Sequence, residues 1–211
     1  MPMTRRFSTL AATALLAAGL AGCTGLGEPP PDMALFDLGS SAPLALDNAH
    51  RPASVDVRAP SWLTTSAMQY RLAYADPQRR LAYGESRWAA TPAEMLMVAL
   101  DRALRVPGAG DSGCRLRVEL DEFAQVFSAA DASELRIAVR ATLLPSRGET
   151  PVAGRDLAVG VATRSADAHG GVAAAQGAVR ELAAELGNWL AALDPSAAQG
   201  LNGGAGCRAS K

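Results

Sequence analysis

The sequence predicts an α+β domain, an antiparallel sheet with two helices packed on one face. Long segments alternate apolar and charged residues with a period of two, as in Leu135-Arg-Ile-Ala-Val139, which describes strands with one buried and one polar face. A one-sided sheet of that kind reads as antiparallel, because a parallel α/β core is apolar on both faces. Two further segments carry apolar residues at three- and four-residue spacing and supply the helices that cover the sheet.

The elements follow in order. Met33–Leu38 predicts a first strand, Ser54–Arg58 an alternating second strand ending at Pro60, and Met68–Tyr74 a third. Asp76-Pro77-Gln78 makes a turn, and Leu81–Tyr83 returns as the hairpin partner. Thr91, Pro92 and Glu94 form the start signal of a helix: an N-cap, a proline at the first position and the acid of a capping box. Its inward stripe is Leu96, Leu100 and Leu104 with Met97 and Ala103, and Pro107-Gly108 stops it. Leu116, Val118 and Leu120 then alternate with charges until the phase slips near Glu122-Phe123, which predicts a bulge. Leu135–Leu143 and Leu157–Thr163 repeat the alternation, and a closing helix over about 170–193 carries Val172, Ala175, Val179, Leu182, Leu186, Leu190 and Leu193.

Composition narrows the function classes. Of 20 basic residues 19 are arginine and the only lysine is Lys211, so the fold offers no phosphate-loop or Schiff-base lysine. Two histidines, His50 and His169, leave little for a metal site, and no metal or other cofactor is expected. Near-neutral charge without a basic run argues against nucleic acid. Gly108-Ala-Gly110-Asp-Ser-Gly113 matches a dinucleotide fingerprint by letter. It leaves a helix and enters a strand, however, the reverse of the order a pyrophosphate site needs. Ser86 lacks the closing glycine of a nucleophile elbow, and Asp121-Glu122 should point to opposite faces of a strand. The chain does not read as an enzyme.

Residues 1–22 read as a signal peptide, with Arg5 and Arg6 ahead of an apolar run from Leu10 to Ala21 too short to span a bilayer. The run ends Leu20-Ala21-Gly22-Cys23, which resembles the lipobox of bacterial lipoproteins and marks Cys23 for acylation, with palmitate among the chains expected there. Thr24 in place of aspartate favours the periplasmic face of the outer membrane over the inner membrane. Residues 23–32, with Pro29-Pro30-Pro31, form a semi-rigid tether; 33–193 form the domain; 194–211 form a Gly/Ala-rich flexible tail. With Cys23 lipidated, Cys114 and Cys207 remain in an oxidising compartment and can pair; the alternative is two unrelated thiols.

Five of the ten aromatic residues, Trp62, Tyr70, Tyr74, Tyr83 and Trp88, lie in the stretch from Trp62 to Trp88, so this is where a surface or a local core must concentrate. Trp62, in a loop after Pro60, and Trp88, just ahead of the helix, are the surface candidates. Taken together, Pro60-Ser-Trp62-Leu63, Gln69–Tyr74 and Tyr83-Gly-Glu-Ser86-Arg87-Trp88-Ala-Ala-Thr-Pro92 resemble the ABC-type transport auxiliary lipoproteins, the PqiC-like family. The resemblance extends over about residues 33–193 and departs at Ala34-Leu35-Phe36, where the family pattern carries tyrosines. It implies a non-enzymatic accessory of an intermembrane lipid transport system that supports envelope integrity. Its partners would be an MCE-domain protein and, indirectly, an inner-membrane ABC permease and ATPase. Trp62, Tyr83, Arg87 and Trp88 are the partner-binding candidates, and a homo-oligomer stays open. The other readings are a periplasmic module binding lipid or a small hydrophobe, and an outer-membrane assembly lipoprotein.

Overall fold

The computed structural model describes residues 32–194 and Cys207. The signal peptide, Cys23, the tether up to residue 31 and the rest of the tail lie outside the described residues. Seven strands form one sheet: β1 (Ala34–Phe36), β2 (Ser54–Arg58), β3 (Ala67–Leu72), β4 (Leu81–Trp88), β5 (Arg115–Ala129), β6 (Ala132–Leu144) and β7 (Ala153–Ala162). Helix α1 (Pro92–Leu104) precedes β5, and α2 (Ala168–Ala191) closes the order. The strands run β1-β4-β3-β5-β6-β7, with β2 also on β5.

The α+β class holds, and the sheet is mixed rather than purely antiparallel. β3–β4, β5–β6 and β6–β7 are antiparallel, whereas β1 is parallel to β4, and β2 and β3 are both parallel to β5. Alternation reveals which face a strand buries and is silent on its direction. The return that parallel pairing of β3 with β5 requires is made by β4, antiparallel to β3, and α1 then leads from the end of β4 to the start of β5.

The α1 signals are realised in full. The Thr91 side chain accepts from the Glu94 amide at 3.3 Å while the Glu94 carboxylate accepts from the Thr91 amide at 3.0 Å. These two bonds satisfy end groups that the helix cannot pair internally. The bond from the Thr91 amide, and after it the Thr91 hydroxyl donating at 2.8 Å, hold the Glu94 carboxyl below its ordinary pKa. Its contribution is present above the ordinary carboxylate value and is lost as pH falls through the lowered one. Thr91→Ala should cost about 1 kcal/mol in urea denaturation, and an unchanged midpoint would show that the cap contributes nothing. Leu96, Leu100, Ala103 and Leu104 are buried as expected; Met97, at the margin of that stripe and about 100° around the helix from Leu96, is 36% exposed.

The core lies between the sheet and the helices. Leu116, Leu120 and Phe123 of β5 and Ile137 and Leu143 of β6 meet Leu182 and Leu186 of α2 in one cluster. The N-terminal turn of α2 is capped by Asp167, which accepts from the Gly170 amide at 2.7 Å. The next residue must be small, since a Cβ on Gly171 would run into the side-chain oxygen of Gln125. Cys207 is buried and disulfide-bonded to Cys114, with Cα atoms 4.6 Å apart, so the expected flexible tail is tied down at that residue.

The dinucleotide-like letters also have a backbone explanation. Gly108 and Gly113 both have φ of +76°, a left-handed conformation that favours glycine. The loop connects the α1 end to β5, as its sequence position implied.

Candidate functional site

The candidate site grows out of an interruption in the sheet. One edge of β5 is paired with β6 along its length; the other is shared by β2, as far as Glu119, and β3, from Gln125 onward. Between them the chain leaves the sheet at Pro60 for a single 3₁₀ turn, Ser61–Leu63. Opposite this gap β5 bulges: Leu120 pairs with Val139 but Glu122 pairs with Ala138, leaving Asp121 as the extra residue. The bulge puts Asp121 and Glu122 on the same polar face, correcting the expectation that they point apart.

The 3₁₀ turn is anchored and directed by its own side chains. Leu63 is buried, the Thr64 hydroxyl donates to the Ser61 carbonyl at 2.7 Å, and Gln69 Nε2 donates to the Trp62 carbonyl at 2.7 Å. Trp62 is thereby held outward with 55% of its surface exposed. It borders a cleft of about 300 Å³ with Arg58 and Pro60 on one side and Glu119, Asp121 and Arg140 on the other.

The charges in the cleft are largely matched. Arg140 Nε and Nη2 donate to the two Asp121 oxygens at 3.1 and 3.2 Å, and Arg58 Nε meets Asp56 at 2.8 Å. Beyond the bulge, Glu122 accepts from Arg71 at 2.7 Å and lies 2.9 Å from Arg80. The exposed pairs, Arg140 with Asp121 and Arg58 with Asp56, contribute little to stability and fix side-chain positions. The result is a preset polar rim around one exposed indole, suited to non-covalent recognition. Among the described residues, no group of three or more His, Cys, Asp or Glu side chains is placed to hold a metal ion.

The other three sequence candidates do not join Trp62. Trp88 is 2% exposed and packs edge-on against Phe123 with ring centroids 5.6 Å apart, so it is a core residue. The cause is an irregularity in β4. Ala67 pairs with Arg87 but Gln69 pairs with Ala82, so the intervening residues shift the alternation and turn Ser86 and Trp88 inward. Arg87 spends its guanidinium on the carbonyls of Tyr83 and Ser86, bracing that same irregularity. Tyr83 stacks on Tyr70 at 4.7 Å and donates its hydroxyl to Gln125 Oε1 at 2.9 Å. Burial, then the neighbouring Tyr70, push the Tyr83 phenol above its ordinary pKa, which keeps it a donor. Gln125 passes the chain on to Ser133 at 2.9 Å, and Ser133 to Thr163 at 2.7 Å. This is an internal network joining β4, β5, β6 and the end of β7. Arg58, Glu119 and Arg140 of the cleft are not singled out by the sequence, and Asp121 is read there only as one of two neighbouring acids expected to point apart. Only the β2–β5 register brings Arg58 opposite Glu119, and no local pattern encodes it.

No protein-family model matches the chain, and no curated protein matches it. Among solved structures it is similar to a Xanthomonas campestris protein of the family described as DUF330, with a TM-score of 0.62 and 20% identity, covering 74% of this chain and 93% of that one. It is also similar to a structure described only as an uncharacterized protein, with a TM-score of 0.57 and 12% identity, covering 75% of this chain and 99% of the other. At these identities the likeness is one of fold.

Proposed function

We propose that the protein is a lipid-anchored, non-enzymatic docking subunit of the cell envelope, an accessory to an MCE/ABC-type lipid transport system. The observation that carries this reading is Trp62, held open at the gap in the sheet inside a rim of matched charges. A large exposed aromatic with a preset polar surround is the usual anatomy of an interface anchor. The lipobox ending at Cys23 supports the anchor, and the resemblance of the Pro60–Pro92 block supports the transport setting. The filled contact between sheet and helices favours an adaptor over a lipid carrier, which needs a continuous apolar cavity.

Two substitutions test the reading together. Cys23→Ala, exported behind an ordinary cleavable signal in place of residues 1–22, should be recovered folded and free of membranes. Retention that resists salt washing would refute the anchor. Trp62→Ala in the lipidated chain should weaken capture of the MCE-domain protein by roughly tenfold or more, with a stability change within about 0.5 kcal/mol. Undiminished capture would remove Trp62 from the interface, and phospholipid co-purifying with the detergent-free domain would favour the carrier reading.

A further inference from the structure

The two edges of the sheet are unlike. β1 ends one side with 3 residues, whereas β7 runs for 10 without a proline and, among the described residues, pairs only with β6. The Thr163 amide donates to the Ser133 carbonyl at 2.9 Å, continuing the β6–β7 register. Inward and outward bonding alternate along an antiparallel strand. Gly154, Asp156, Ala158, Gly160 and Ala162 therefore turn their amides and carbonyls to the open side. A long edge of this kind is a template for one more strand.

The charges identify which strand fits. Arg58 stands opposite Glu119, Glu119 opposite Arg140, and Arg140 opposite Asp156, so the sign alternates across β2, β5, β6 and β7. Opposite charges facing each other across strands are favourable, and like charges are not. The row stops at Asp156. Arg140 turns its guanidinium to Asp121, and Asp156 makes no hydrogen bond or ion pair among the described residues. The next member of the row must be a cation. Arg164, just past the end of β7, is exposed and equally without a partner among the described residues. Thr163 points inward, its hydroxyl 2.7 Å from that of Ser133, so alternation turns Arg164 to the outer face that Asp156 occupies. A twofold axis through Gly160 lays a second β7 antiparallel along the first and sets Arg164 of each chain opposite Asp156 of the other. The same register places Ala158 against Ala162 on the outer face and Val159 against Val161 on the helix side.

We propose that the β7 edge is a self-association surface, on which a second copy of this chain continues the sheet through an antiparallel β7–β7 pair. Glu119 and Arg140 of the Trp62 cleft share a face with Asp156, and the twofold axis keeps that face common to both copies. Both clefts then open on the same side of the dimer. The pairing does not depend on the docking reading or on the anchor.

Cross-linking in whole cells expressing the full-length chain tests it. Gly160→Cys puts a thiol on the axis, where facing Cα atoms stand about 5.5 Å apart, within the span of a disulfide. The added Cβ meets only the carboxylate end of the Glu134 side chain. Mild oxidation should give a reducible product of twice the monomer mass, above the wild-type blank, and Ala158→Cys should not, because it faces Ala162. Asp156→Arg in the Gly160→Cys chain should abolish the product, and adding Arg164→Asp should restore it with the pair reversed. Folded Gly160→Cys without product would overturn the pairing. Product at position 158 in place of 160 would move the axis and overturn the register, as would product at 160 that ignores Asp156→Arg. Equal product from Asn188→Cys, on the exposed side of α2, would reduce it to random encounter and overturn it as well.

Discussion

Trp88→Ala should destabilise the domain by about 3–5 kcal/mol, the range for deleting a large buried aromatic. The indole ends β4 at a position that is 2% exposed and meets Phe123 edge-on, so its removal leaves a void against the central strand of the sheet. Phe123 loses a ring contact at the same time, and such pairs contribute about 0.5–1.5 kcal/mol beyond burial. Trp88→Phe should recover part of the loss, because it keeps an aromatic edge against Phe123 while filling less volume. Urea denaturation of the two variants beside Trp62→Ala gives the contrast directly. A Trp88→Ala midpoint as close to wild type as that of Trp62→Ala would place the side chain at the surface after all. Partner capture by folded Trp88→Phe should be unchanged, since this residue has no surface to offer.

The two tryptophans also show what can be read along a chain and what cannot. Thr91, Pro92 and Glu94 announce the start of α1 because a helix cap is local: three adjacent residues hold all of its hydrogen-bonding logic. The bulge in β5 is legible for the same reason, as a slip of alternation within one strand. Trp88 is not, because the irregularity that turns it inward is a mismatch between β3 and β4, and mismatches belong to pairs of strands. Strand direction has the same origin. Parallel pairing of β2 and β3 with β5 depends on where β4 and α1 set the chain down, and the hydrophobic pattern of each strand is the same either way. The candidate site inherits this limit. Trp62 stands out from its own neighbours, Pro60 and Ser61, whereas Glu119 and Arg140 become its rim only through register.

Loss of the Cys114–Cys207 bond should be the other large effect. The bond closes a loop of 93 residues by sequence separation, and loops near that size correspond to about 4–5 kcal/mol in the chain-entropy model. That figure is an upper bound, because ordering the segment after α2 consumes part of it. Cys207→Ala removes the bond, and so does Cys114→Ala. If the bond is what matters, the double variant should be little less stable than either single one, the non-additivity expected of two groups in one interaction. Cys114 is itself buried at the start of β5, so its replacement also removes packing and should be the more costly of the two. Intact mass with alkylation before and after reduction supplies the independent reading: no label beforehand, and two equivalents afterwards on Cys114 and Cys207. Two thiols that alkylate without reductant, together with additive losses in the cycle, would mean that the residues are buried separately and that the end of the chain is not tied to β5.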